Sequence, residues 1–251
     1  MEHISFFDCN CWVGMRSVMH PGSFYKLEDL EKKMEHYGIE KALVYHAMAR
    51  EYNPSTGNNI LLEEIAEHKS LLPIWVVMHH HTREFSAPDI LLEQMKKYNV
   101  RAVRMFPSPP EQNYNIAEWN CGELLKTLEK HKIPLFIGID QMTWNELYEL
   151  ANNHPNLNII LTELSYRMDR NLYALMARFP HIYLETSGYK VHHGNEEICS
   201  IYGAERLIFG SGMPVFSGAA VSMVLYARIS DREKKLIARE NMEKLIQEVN
   251  L

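Results

Sequence analysis

Short apolar runs alternate with amphipathic stretches from one end of the chain to the other. The runs at 4–9, 41–46, 72–78, 101–106, 134–139, 157–164, 182–187 and 206–211 have the length and apolar content of buried strands. Between them, apolar positions recur at helical spacing. In 27–37, Leu27, Leu30, Met34 and Tyr37 share a face, and in 59–68 Leu61, Leu62, Ile65 and Ala66 do. Segments 89–98, 117–131, 144–153, 171–179, 196–202 and 218–227 follow suit, and 231–249 closes the chain. Eight strands each followed by a helix predict an α/β fold, a (β/α)8 TIM barrel, with residues 1–251 as one domain. An open doubly wound sheet is the rival. Its phosphate-binding glycine fingerprint is missing, because Gly210-Ser-Gly212-Met-Pro-Val has proline and valine where that motif needs a helix start and a third glycine.

In such a barrel alternate strand residues point inward, and chemistry sits at the C-terminal strand ends. Strict alternation predicts Asp8, Asn10 and Trp12 in the mouth, with Phe7, Cys9 and Cys11 facing the helices. It turns Arg104 and Phe106 inward, and likewise Gly138 and Asp140. It sets Ile159, Leu161 and Glu163 on the inner face of one strand, and Tyr183, Glu185 and Ser187 on that of the next.

Several of these segments resemble the amidohydrolase-related metal-dependent hydrolases. FDCNCWVG is similar to that family's strand-1 DxHxHxG signature, and VRAVRMFPS to its strand-4 segment. HKIPLFIGI resembles the strand-5 segment that ends in a metal-binding histidine, and HPNLNIILTELS the strand-6 PxLxIxLxHxG. RLIFGSGMPVF resembles the strand-8 GSDxP, and ARENMEKLI the terminal helix. The resemblance runs in order along essentially the whole chain. It implies the barrel and a hydrolytic or decarboxylating activity on small carbonyl acids. It also implies a metal site, but here the strand-1 histidines fall on Asn10 and Trp12, the strand-5 histidine on Gly138, the strand-6 histidine on Glu163 and the strand-8 aspartate on Gly212. A zinc site needs three or four N, S or O ligands around one point. One glutamate and one amide do not supply them, so no metal and no other cofactor is expected.

The surviving polar residues therefore carry the expected chemistry. Glu163 is the candidate general base or acid, with Asp140 as a second carboxylate and His46 as a third candidate for proton transfer. Arg104, Asn10, Trp12, Asp8 and Glu185 are the candidate substrate-binding groups, Arg104 holding an anion or pairing with Glu163, Asp140 or Glu185. Asp8 has a structural alternative, accepting hydrogen bonds inside the barrel. His79 and His81 are a lesser candidate for a rebuilt metal pair. Arg50, Tyr52, Arg167 and His192-His193 read as loop residues.

The charge balance of −6 and the lack of a basic run argue against nucleic acid and anionic membranes. Four cysteines without a CxxC fit a reducing compartment. With no apolar leader at the N-terminus and no apolar run near the ~20 residues of a membrane span, a cytoplasmic protein is expected. The expected partner is a small anionic substrate, in a monomer or a homodimer. The expected function is metal-independent hydrolysis of a small carboxylate-bearing lactone, ester or amide. A barrel without turnover that binds or regulates, and a non-oxidative decarboxylase or lyase, are the alternatives.

Overall fold

The computed structural model describes residues 4–18 and 25–251. Its strands are β1 (Phe6–Val13), β2 (Ile39–His46), β3 (Leu71–Pro73), β4 (Trp75–Val76), β5 (Val103–Met105), β6 (Leu135–Gly138), β7 (Ile159–Thr162), β8 (Ile182–Glu185) and β9 (Leu207–Ile208). All pair in parallel, in the runs β1-β2-β3 and β4-β5-β6-β7-β8-β9. Ile74 joins the two runs. Its N–H donates to the Val44 carbonyl at 3.0 Å, and the next N–H, of Trp75, donates to Ala102 at 3.2 Å. At the other seam the Cys9 N–H donates to the Phe209 carbonyl at 3.1 Å, and Cys11 bridges Met213 in parallel. With β3 and β4 counted as one broken strand, the sheet closes as the (β/α)8 barrel.

The helices are α1 (Leu27–Tyr37), α2 (Ala47–Glu51), α3 (Pro54–Glu64), α4 (Pro88–Tyr98), α5 (Glu118–Lys130), α6 (Trp144–Asn153), α7 (Asp169–Arg178), α8 (Gly194–Tyr202), α9 (Ser217–Leu225), α10 (Asp231–Lys235) and α11 (Asn241–Gln247). Local chemistry sets their ends. Asn53 caps α3 by accepting from Thr56 N–H, with Pro54 at the first turn. Thr143 and Glu146 form a capping box on α6, and Asn99 ends α4 in the left-handed region. The Asn53-Pro54 start moves α3 five residues upstream of the 59–68 expectation. The 231–249 helix is interrupted by a π turn at Leu236–Glu240.

Two apolar layers follow from the strand alternation. Leu43, Tyr45, Ile74, Val76, Ala102, Phe106, Phe136, Ile160 and Ile208 fill the barrel interior with Phe7 and Cys9, and Met242 and Leu245 of α11 join them. Val44, Val103, Met105, Leu135, Ile137, Ile159, Leu161 and Leu184 pack outward against helix residues such as Leu30, Leu61, Leu124 and Leu147. Cys9 thus lines the interior, against the expectation that both strand-1 cysteines face the helices, whereas Cys11 does pack outward. Phe7 faces inward as well, so β1 up to Cys9 runs in the opposite phase from the expected one; a β-bulge, with Asp8 paired to Ala42 and Cys11 to Val44, three residues on β1 against two on β2, then turns Asn10 inward and Cys11 outward.

Asn58 repairs the broken strand. Where β2 has already turned into α2, its amide donates to the Val76 carbonyl at 2.8 Å and its carbonyl accepts from Val76 N–H at 3.0 Å. Asn58→Ala leaves two buried backbone groups unpaired. It should lower stability by about 2–4 kcal/mol, read as a lower urea midpoint at unchanged slope; an unchanged midpoint would show that the strand break needs no such support.

Candidate active site

The bulge in β1 moves Asn10 into the mouth. Its amide nitrogen donates to Glu185 Oε2 at 3.0 Å, and its carbonyl accepts from Arg104 Nη1 at 2.6 Å. Arg104 projects inward from β5 and is 1% exposed. Its Nη2 donates to Thr162 Oγ1 at 3.0 Å and lies 3.5 Å from Glu163 Oε1. The guanidinium lies over Tyr45 and Phe106, 5.0 and 5.1 Å from their ring centroids. Every group bonded to this guanidinium belongs to the barrel itself. Both terminal nitrogens of Arg104 are thereby engaged inside the barrel, while its Nε is buried without a hydrogen-bond partner.

Glu163 arrives by an unexpected route. Ile159 and Leu161 face the helices, so alternation alone would send Glu163 outward and make Thr162 the inward residue of β7. Glu163 adopts φ +58°, the left-handed region, which costs a non-glycine residue of the order of 1 kcal/mol or more. The turn swings its carboxylate back to Arg104, with the side chain 46% exposed. Asp140 follows β6 in a short 3-10 turn, Ile139–Gln141. A Cβ built on Gly138 would collide with Asp140 Oδ1 and stand 3.2 Å from Glu163 Cγ. The two carboxylates thus converge over the side-chain space that Gly138 leaves free.

Glu185 is fully buried. It accepts from Asn10 Nδ2, from Ser187 N–H at 2.6 Å and from Ser187 Oγ at 2.8 Å. Burial pushes its pKa up to about 7; the Ser187 hydrogen bonds pull the other way, and Glu163 and Asp8 add to the rise. Asp8 lies at the seam of the barrel, away from Asn10's face. Its Oδ1 accepts from the N–H groups of Asn10 at 3.0 Å and Ser211 at 2.9 Å. Burial raises its pKa against those bonds.

His46 is not in this cluster. It caps α2, Nδ1 accepting from Met48 N–H at 3.1 Å, and its Nε2 lies 3.8 Å from Glu64, in a cavity beside Gly14 and Tyr25. Burial lowers its pKa. Its place on β2 shares the outward parity of Ala42 and Val44, which removes it from the reacting groups. Trp12 packs on the interior cluster with Arg16 5.6 Å from its ring centroid. Arg50 lies over Phe106 and is paired with Glu111; burial opposes its charge, but Glu111 and Tyr45 raise its pKa overall. His79 and His81 stack at 5.5 Å, and His192-His193 and Tyr52 lie on loops. Among the described residues no three His, Cys, Asp or Glu side chains form a set able to hold a metal.

The model of the Amidohydro_2 family, described as Amidohydrolase, matches residues 23–246. The chain belongs to the amidohydrolase family. Solved structures similar to it include an uncharacterized TIM-barrel protein from Bordetella bronchiseptica, at 14% identity and TM-score 0.74 over 98% of this chain and 99% of that one. A 2,6-dihydroxybenzoate decarboxylase from Rhizobium matches at 16% and 0.73 over 98% and 99%. A probable 2-pyrone-4,6-dicarboxylic acid hydrolase from Acinetobacter baumannii, with citric acid bound, matches at 14% and 0.69 over 97% and 100%. At these identities the likeness is one of fold. Among curated proteins the sequence has no match. No helix among the described residues is long and apolar enough to cross a membrane.

At the positions equivalent to the family's metal ligands this chain has other partners. Asn10 is committed to Arg104 and Glu185. The space at Gly138 is filled by Asp140 and Glu163, and a Cβ at Gly212 would stand 2.9 Å from Phe216 and 3.0 Å from Ser187 Oγ. A guanidinium bonds the groups nearest the axis. Thr162, Ser211 and Tyr45 are the site residues missed in the sequence, while Ser187, expected on the inner face, anchors Glu185. The even positions of 157–164 carried the signal for Thr162, since Ile160 has the same parity.

The Glu185 carboxyl gives a pH test. Its reference value is 4.5, and in the fold it is about 7. Between those values the folded chain holds a proton that the unfolded chain has released. Its contribution to stability is full below about pH 4.5 and is lost as pH rises through 7. Thermal midpoints between about pH 5 and 8 should fall more steeply for the parent than for Glu185→Gln, whereas parallel profiles would mean that Glu185 is ionised throughout.

Proposed function

We propose that the protein is a metal-independent hydrolase of a small ester, lactone or amide, with Glu163 as general base. One observation carries this reading. Glu163 is a half-exposed carboxylate held in a strained backbone conformation against Arg104, beside Asp140, at the C-terminal ends of the strands. Glu163 takes a proton from water as the water oxygen attacks the substrate carbonyl. The tetrahedral intermediate collapses by breaking the C–O or C–N bond, and the proton on Glu163 passes to the leaving group. Arg104 fixes Glu163 without touching substrate.

A decarboxylase is supported less well. It must seat a substrate carboxylate, and the mouth holds Asp140, Glu163 and Glu185 around Arg104. The engagement of both terminal nitrogens of Arg104 inside the barrel favours a second reading, a barrel that binds without turnover.

Product formation from a library of small esters, lactones and amides, followed chromatographically with EDTA present, separates the two. A substrate should be found whose turnover is unaffected by EDTA and falls about 10²–10⁴-fold in Glu163→Gln. Full turnover in that variant, or loss of activity on chelation, overturns the hydrolase mechanism, and no turnover across the library supports the binding barrel.

A further inference from the structure

A cavity of about 550 Å³ opens at the C-terminal end of the barrel, between the loops that follow β5 and β6. Its wall carries Ser108, Asn113 and Tyr114 from the first loop, and Asp140, Gln141 and Met142 from the second. Three features fix its chemistry. The Ser108 hydroxyl is buried, with the residue 5% exposed, and has no hydrogen-bond partner. Ser108 is held in place by its N–H, which donates to Gln141 Oε1 at 3.3 Å. Asp140 joins the cavity to the reacting groups, because its carboxylate sits over Gly138 next to Glu163.

No lysine or arginine lines this cavity, while Asp140 and Glu146 do. Glu146 is spent on the cap of α6, accepting from Thr143 N–H and Oγ1. That leaves Asp140 as the open carboxylate. Arg104 faces Asn10, Thr162 and Glu163, Arg50 pairs with Glu111, and neither guanidinium lines the cavity. A cleft lined by surplus negative charge concentrates cations and repels anions.

We propose that this cavity binds a small amine-bearing molecule as its ammonium form, through the Asp140 carboxylate and the vacant Ser108 hydroxyl, with Tyr114 and Met142 covering its apolar part. The inference rests on the hydrolase reading only in placing the ammonium beside Glu163. It makes the substrate class cationic, the reverse of the anionic class that an inward arginine suggests.

Benzylamine, benzyl alcohol and benzoate share a ring and differ in charge. Their binding to the full-length protein is read from shifts of the Ser108 and Gln141 amide signals in ¹H–¹⁵N spectra. Benzylamine should bind about tenfold more tightly than benzyl alcohol, the scale of one charge-assisted hydrogen bond, with benzoate weakest. Asp140→Asn should bring benzylamine to the level of the alcohol, and Ser108→Ala should weaken it severalfold. Benzoate binding as tightly as benzylamine, an unchanged benzylamine affinity in Asp140→Asn, or no benzylamine shifts at these two amides overturns the proposal. Benzylamine binding with the expected Asp140 dependence, but no turnover of any ester or amide, upholds this site and removes the hydrolase reading alone.

Discussion

The guanidinium of Arg104 organises the mouth of the barrel. It is a full charge taken out of water, and such a charge is stable only where several polar groups replace its hydration. Asn10 from β1, Thr162 from β7 and the carboxylate of Glu163 do this, and the rings of Tyr45 and Phe106 cover its faces. Four strands are thereby tied to one side chain. Asn10 passes the constraint on to Glu185 and β8.

One fixed positive charge then sets the terms for the carboxyl groups around it. Glu163 lies against it and remains open to solvent. Glu185 is one residue further away, shielded by Asn10, and burial decides its protonation. Asp8 spends one oxygen on two backbone N–H groups and leaves the other without a partner. Similar groups within one barrel are thus separated by position alone. One is available for chemistry and two serve the framework.

Period-two alternation was enough to place Arg104 and Phe106 inside and Val103 and Met105 outside, because β5 is regular. It failed in β1 and β7, where the inward phase is the opposite of the expected one, and at two backbone irregularities. The bulge between Asp8 and Cys11 shifts parity within β1, sending Asn10 inward and parting it from Asp8. The left-handed turn at Glu163 returns a residue of outward parity to the mouth. Neither leaves a mark in the hydrophobic pattern, since each depends on one residue's backbone angles. The barrel itself was legible because its two apolar layers repeat eight times, and a slip in one strand leaves the other seven in register. His46 misled for a different reason: it ends a strand, as mouth residues do, but on the outward parity.

The seam held by Asp8 bears on how the chain is made. Its carboxylate in the first strand receives the Ser211 N–H, 203 residues later, and Cys9 meets Phe209 beside it. During synthesis β1 waits, with one edge unsatisfied, until the chain has been translated past Ser211. Contacts of such long sequence separation form late and slowly, and an unpaired parallel edge is open to wrong partners in the interval. A carboxyl group at that seam, rather than another aliphatic pair, leaves the waiting edge polar, and polar edges are less prone to pair wrongly.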